Sequence, residues 1–93
     1  MYATIRTYGG GDSFTDALVE NEPAIRELIS GIAGFRAYYI VRGSDGPATV
    51  SVFDDQSGAD ASVSAAAAWI SENLADASPG APSVTTGEVV LSF

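Results

Sequence analysis

The sequence contains no cysteine, no histidine and no lysine. Without cysteine there is no disulfide framework and no thiol nucleophile, the usage expected of a cytoplasmic protein. Without histidine, the commonest general base near neutral pH and the commonest transition-metal ligand are lost together. We therefore expect no cofactor, no metal site and no axial haem ligand of either type. The serines have no histidine or lysine to activate them, which removes hydrolase chemistry. Basic charge is equally scarce. Four arginines stand against 12 carboxylates, for a net charge of −8 at pH 7. Such a chain repels phosphate backbones, so nucleic acid is excluded as a partner. No long apolar run is present, and the N-terminus enters a strand pattern at once instead of a basic, then apolar leader. Neither a membrane span nor a membrane partner is expected.

What is present is a strong hairpin. Phe35–Arg42 and Ala48–Phe53 are rich in aromatic and β-branched residues. Gly43-Ser44-Asp45-Gly46-Pro47 between them has turn chemistry. Side chains alternate along a strand, which puts Phe35, Ala37, Tyr39, Val41, Val50 and Val52 on an apolar face. Arg36, Tyr38, Ile40, Ser51 and Phe53 fall on a mixed one. Upstream, Tyr2–Tyr8 alternates as a strand, with Tyr2, Thr4, Arg6 and Tyr8 together. Gly9-Gly10-Gly11 ends it, but without a following Gly-Lys-Ser/Thr, and with Asp12 where an anion would sit, it is no phosphate loop. Asp12 or Ser13 is the expected cap of a helix whose stripe is Phe14, Leu18, Ile25, Ile29 and Ile32. Pro23 should kink or split that helix near Asn21. After the hairpin, Ser57 is the cap candidate of an alanine-dense helix reaching Ala77. A loop over Ser78–Pro82 leads to a last strand over Ser83–Phe93, with Glu88 and Val90 on one face.

The order β-α-β-β-α-β over 93 residues reads as one domain, a ferredoxin-like α+β sandwich. A four-stranded antiparallel sheet then carries two helices on one face. We expect the apolar face beneath the helices. The mixed face is then left uncovered, with Tyr2, Thr4, Arg6, Tyr8, Arg36, Tyr38, Ser51, Phe53 and Glu88 lining a ligand cavity. Large aromatics on an open face point to a homodimer closing over it, sheet to sheet, as a dimeric α+β barrel. Strands one and four are neighbours in this topology, so an Arg6–Glu88 ion pair is expected between them.

Gly34-Phe35-Arg36-Ala37-Tyr38-Tyr39, Ser51-Val52-Phe53-Asp54-Asp55 with Gly58-Ala59, and Ala68-Trp69-Ile70-Ser71-Glu72-Asn73-Leu74 resemble the antibiotic-biosynthesis-monooxygenase-like family. The resemblance in element order covers nearly the whole chain. It implies a homodimer in which some members oxidise polycyclic aromatic polyketides without metal or flavin, whereas others degrade haem and depend on a histidine that this chain lacks. The cofactor-free members use an asparagine and a tryptophan near the cavity. Trp69 stands as counterpart of the tryptophan, while this chain reads Ser62-Val63-Ser64 where similar sequences carry the asparagine.

Two functional readings remain open. In the first, a small aromatic ligand is oxidised or isomerised in the cavity, with Arg36, Tyr38 and Trp69 as candidate catalytic residues. Arginine would hold an oxyanion and tyrosine would orient it, and Glu88 is a candidate base. In the second, the dimer binds a ligand without catalysis or has only a structural role.

Overall fold

The computed structural model describes residues 1–77 and 79–93. Ser78, the first residue of the expected loop over Ser78–Pro82, lies outside the described residues. The strands are β1 (Tyr2–Thr7), β2 (Phe35–Arg42), β3 (Pro47–Phe53) and β4 (Ser83–Glu88). The helices are α1 (Gly11–Glu20), α2 (Glu22–Ser30) and α3 (Gln56–Asn73). The sheet order is β2-β3-β1-β4 with every neighbouring pair antiparallel. This is the ferredoxin-like arrangement, with the first helical connection broken in two. Pro23 makes the break: it lies in the first turn of α2, where its missing N–H is harmless, and Asn21 ends one helix and precedes the next.

The helix starts differ from the expected caps. The residue before α1 is Gly10, held at φ 88°, and Ser13 Oγ donates back to its carbonyl instead of capping. Left-handed backbone costs glycine nothing, so the glycine run serves as the helix entry. The cap of α3 is Asp55 rather than Ser57: Asp55 Oδ1 accepts from Gly58 N at 3.2 Å and from Ser57 Oγ at 2.7 Å. A carboxylate two residues upstream reaches the third free amide of the helix, which satisfies an end donor. The expected last strand stops early. Val89 N still donates to Met1 O at 2.9 Å, but Val90, Leu91 and Phe93 run on exposed.

The larger correction concerns the sheet faces. It is the mixed face that lies under the helices. Thr4, Arg6 and Tyr8 from the first strand segment, and Thr49, Ser51 and Phe53 from β3, are all buried there. Tyr8 and Phe53 share one core cluster with Phe14, Leu18, Ile25, Ile29, Ala59 and Ile70. The helix side explains the choice. The residues that α3 buries are Gly58, Ala59, Ser62, Ala66 and Ile70, mostly small, so the helix comes close and bulk must rise from the sheet. Phe53, Tyr8 and Tyr38 supply it, where Val50 and Val52 would leave voids. A β-bulge between Phe35 and Ala37 also moves Phe35 onto this side, edge-on to Phe53 with ring centroids 5.9 Å apart. Of the expected apolar face, Tyr39 and Val41 lie exposed on the open side, where Ile5 of β1 is exposed as well.

Candidate functional site

The centre of the helix-covered face is polar. Thr4 Oγ1 donates to Ala59 O at 3.4 Å and lies 3.2 Å from Thr86 Oγ1, which occupies its hydroxyl. Ser62 Oγ donates to the same carbonyl of α3 at 2.7 Å. Arg6 is not satisfied in this way. Only 1% of its surface is exposed, yet its one bond of good geometry runs from Nη2 to Ser51 Oγ, at 3.3 Å. Among the described residues, Nε and Nη1 are buried without a hydrogen-bond partner of good geometry. A buried cation of this kind is costly until an acceptor or counter-charge meets it.

Two tyrosines flank it. Burial pushes the hydroxyls of Tyr8 and Tyr38 above the ordinary tyrosine range, and the nearby Arg6 guanidinium pulls partway back. Both are therefore neutral phenols at physiological pH, able to donate a hydrogen bond toward an incoming oxygen anion. A cavity of about 20 Å³ between α2, α3 and the sheet is bordered by Arg6, Tyr8, Tyr38 and Trp69. Its volume suits a single water molecule. Beside it, a groove of about 470 Å³ opens between the first two helices and β2. Leu18, Ile25, Ile29, Phe35 and Ile40 make its walls, and Tyr38 belongs to both groove and inner cavity. The ion pair of Glu22 with Arg26 also borders the groove.

Of the residues expected at the cavity, Thr4, Arg6, Tyr8, Tyr38, Ser51 and Phe53 are brought together on one side of the sheet, with Tyr2 half-buried at its end. The cavity they face lies between sheet and helices, not between two sheets. Arg36 does not join them: it is exposed at the bulge and bonded to Asp54. Glu88 is exposed opposite Tyr2, whereas Arg6 sits opposite Val84, so the expected Arg6–Glu88 pair does not form. The two residues occupy opposite ends of the same ladder. Trp69 is half-buried and reaches the inner cavity from α3. Leu18, Ile25 and Ile29, read from sequence as core, are also groove walls. Periodicity marks an inward stripe, but does not say whether the stripe meets side chains or space. Among the described residues, no three or more acidic side chains gather where a metal ion could be held.

In sequence the chain matches no family model and no curated protein. Solved structures do match it. A monooxygenase from Streptomyces coelicolor, ActVA-Orf6, solved with nanaomycin D, is 19% identical with a TM-score of 0.65, over 98% of this chain and 91% of that one. The chain has the fold of the antibiotic-biosynthesis-monooxygenase-like proteins. MhuD of Mycobacterium tuberculosis, a haem degrader solved with two haems in its active site, is 16% identical with a TM-score of 0.63, over 100% of this chain and 99% of that one. A protein of unknown function from Nitrosomonas europaea is 18% identical with a TM-score of 0.71, over 99% and 90% of the two chains. The monooxygenase-like fold spans unlike chemistries, so the residues of this chain must carry its functional reading. No helix among the described residues is long and apolar enough to cross a membrane.

Proposed function

We propose that this chain is a cofactor-independent, monooxygenase-like enzyme that takes an aromatic, polyketide-like molecule into the groove between α1, α2 and β2. The observation that carries the reading is the pairing of an apolar groove of about 470 Å³ with Tyr38, whose hydroxyl adjoins a buried, under-bonded guanidinium. A groove of this size suits a fused-ring ligand. Oxidation of a phenolic methylene by O₂ alone balances without a further reductant. The CH₂ becomes C=O, and the other oxygen atom leaves as water with the two displaced hydrogens. What such a reaction asks of the protein is stabilisation of the substrate oxyanion before O₂ attacks. Tyr38 would supply a neutral donor at the groove, and Arg6, on the inner cavity behind it, the charge. Trp69 would stand behind Tyr38, on the inner cavity. The working unit we propose is a cytoplasmic homodimer formed through the open sheet face.

A second reading, a ligand-binding dimer without catalysis, is favoured by Ser62. Its hydroxyl is buried and committed to Ala59 O, at a part of α3 where an asparagine amide would be a donor toward the cavity. Oxygen uptake separates the two. A hydroxyanthrone incubated with the wild type should consume one O₂ per carbonyl formed, and Tyr38→Phe should slow this by about ten- to a hundredfold. Saturable binding of the hydroxyanthrone with no uptake above the uncatalysed rate would leave the binding reading.

A further inference from the structure

A second groove, of about 560 Å³, opens on another side of Arg6, between α3 and β4. Its walls are Val63, Ala67 and Ile70 from the helix, Val84 from the strand and the loop over Gly80–Pro82; Arg6 and Tyr8 also line it. Among the described residues no carboxylate borders it, although the chain has 12. The groove by α2 differs, since it contains Glu22 and that residue's own counter-ion Arg26.

The arginines show where charge is missing. Arg26 bonds Glu22, Arg36 bonds Asp54, and Arg42 bonds both Asp12 and Asp16, all at the surface. The one buried arginine, Arg6, has no carboxylate among the described residues; its neighbours are the uncharged hydroxyls of Ser51, Tyr8 and Tyr38. Tyr8 and Tyr38 cannot supply the counter-charge, because burial keeps their hydroxyls protonated. A water in the inner cavity of about 20 Å³ would satisfy a donor but bring no charge. Nε and Nη1 do not share an edge of the planar guanidinium, so one acceptor cannot meet both. A dianion such as phosphate would leave unbalanced negative charge beside a single cation. The apolar walls fit a hydrocarbon tail.

We propose that the groove between α3 and β4 is a second ligand site, specific for a monocarboxylate with an apolar tail. The carboxylate pairs with Arg6, and the tail lies along Val63, Ala67, Ile70 and Val84. This site requires no oxidation chemistry; it shares the Arg6 guanidinium with the reading above, but its groove and its ligand are its own.

The test titrates hexanoate and, as its neutral counterpart, hexanamide into the full chain, following side-chain methyl signals by NMR. Hexanoate should shift the methyls of Val63, Ala67 and Val84 and bind about tenfold or more tighter than hexanamide, the worth of one charge-assisted hydrogen bond. Arg6→Met should bring the two affinities together. Ala67→Trp should block hexanoate, whereas Ile40→Trp, which fills the other groove, should not. If a variant does not fold, the wild-type comparison still decides. Shifts confined to Ile25 and Ile40, equal binding of hexanamide, or no saturable binding of hexanoate would each overturn the proposal. Loss of oxygen uptake would not affect it.

Discussion

Arg6 Nη2 donates to Ser51 Oγ at 3.3 Å, from β1 to the neighbouring β3, and beyond the adjacent hydroxyls of Tyr8 and Tyr38 the described residues bring no counter-charge to a guanidinium that is 1% exposed. Folding thus removes the charge from water without returning equivalent interactions. Methionine has a similar length, no charge and a flexible thioether. Arg6→Met should therefore stabilise the chain by about 1–4 kcal/mol, by analogy with the replacement of buried ionic groups by packed apolar ones. Urea unfolding at an unchanged m-value measures it. A loss of more than about 1 kcal/mol would show that the guanidinium is already compensated in the free protein.

Gly58 is where α3 rests on the sheet. A methyl group placed there would stand 2.8 Å from Phe53 Cδ1 and 2.9 Å from the carbonyl oxygen of Ala33. In an exposed helix, glycine to alanine gains up to about 1 kcal/mol. Here the carbonyl cannot move without the loop before β2. Gly58→Ala should instead destabilise by roughly 1–3 kcal/mol, the usual cost of overpacking. A rise in Tm for this variant would mean that the helix can lift from Phe53.

Much of the architecture was legible in the residues: the hairpin, the Pro23 break and the βαββαβ order follow from alternation, turn chemistry and helical spacing. The side of the sheet that the helices cover was not. Both faces of the hairpin carry large apolar groups, and period-two alternation separates the faces without ranking them. The deciding quantity was volume, set by the small residues of α3 and met by Phe53, Tyr8 and Tyr38. The bulge at Arg36 was hidden for a similar reason, because an extra residue in a strand leaves no mark in a run of strand formers. Tyr38 and Arg6 could be grouped from alternation alone. That Arg6 meets no carboxylate among the described residues needed the register, which sets it against Val84 and sends Glu88 to the far end of the ladder.

Asp55 carries a pH signature. The Ser57 hydroxyl, and behind it the Gly58 amide, hold its carboxyl below the ordinary aspartate range. The folded state thus binds a proton less readily than the unfolded one. Its contribution is present above the ordinary aspartate pKa of about 4 and fades as pH falls through the lower folded value. Asp55→Asn keeps a capping oxygen without the titration. The Tm difference between wild type and Asp55→Asn should therefore be constant at neutral pH and shift in the variant's favour below about pH 4. A difference that does not change with pH would mean that the carboxylate's charge adds nothing to the cap.

The open sheet face supplies the last prediction. Ile5 is 43% exposed, Val41 52% and Tyr39 60%, and Ala3, Val50 and Val52 lie between them on the same side. The chain has a net charge of −8, yet this face carries no acidic residue on β1, β2 or β3. An uncharged apolar sheet that stays in water is unfavourable, and a second copy of the same face is a self-complementary cover. The wild type should scatter light as twice the chain mass at micromolar concentration. Ile5 lies on β1 between β3 and β4, opposite Val50 and Thr85, so a charge there falls within the interface rather than at its rim. Ile5→Glu should weaken the dimer by on the order of a hundredfold or more, because each copy would bury an unpaired carboxylate. Stability measured on the separated monomer should change by no more than about 0.5 kcal/mol, as for other surface substitutions. A monomeric wild type, or an Ile5→Glu chain that remains a dimer at the same concentration, would place the interface elsewhere.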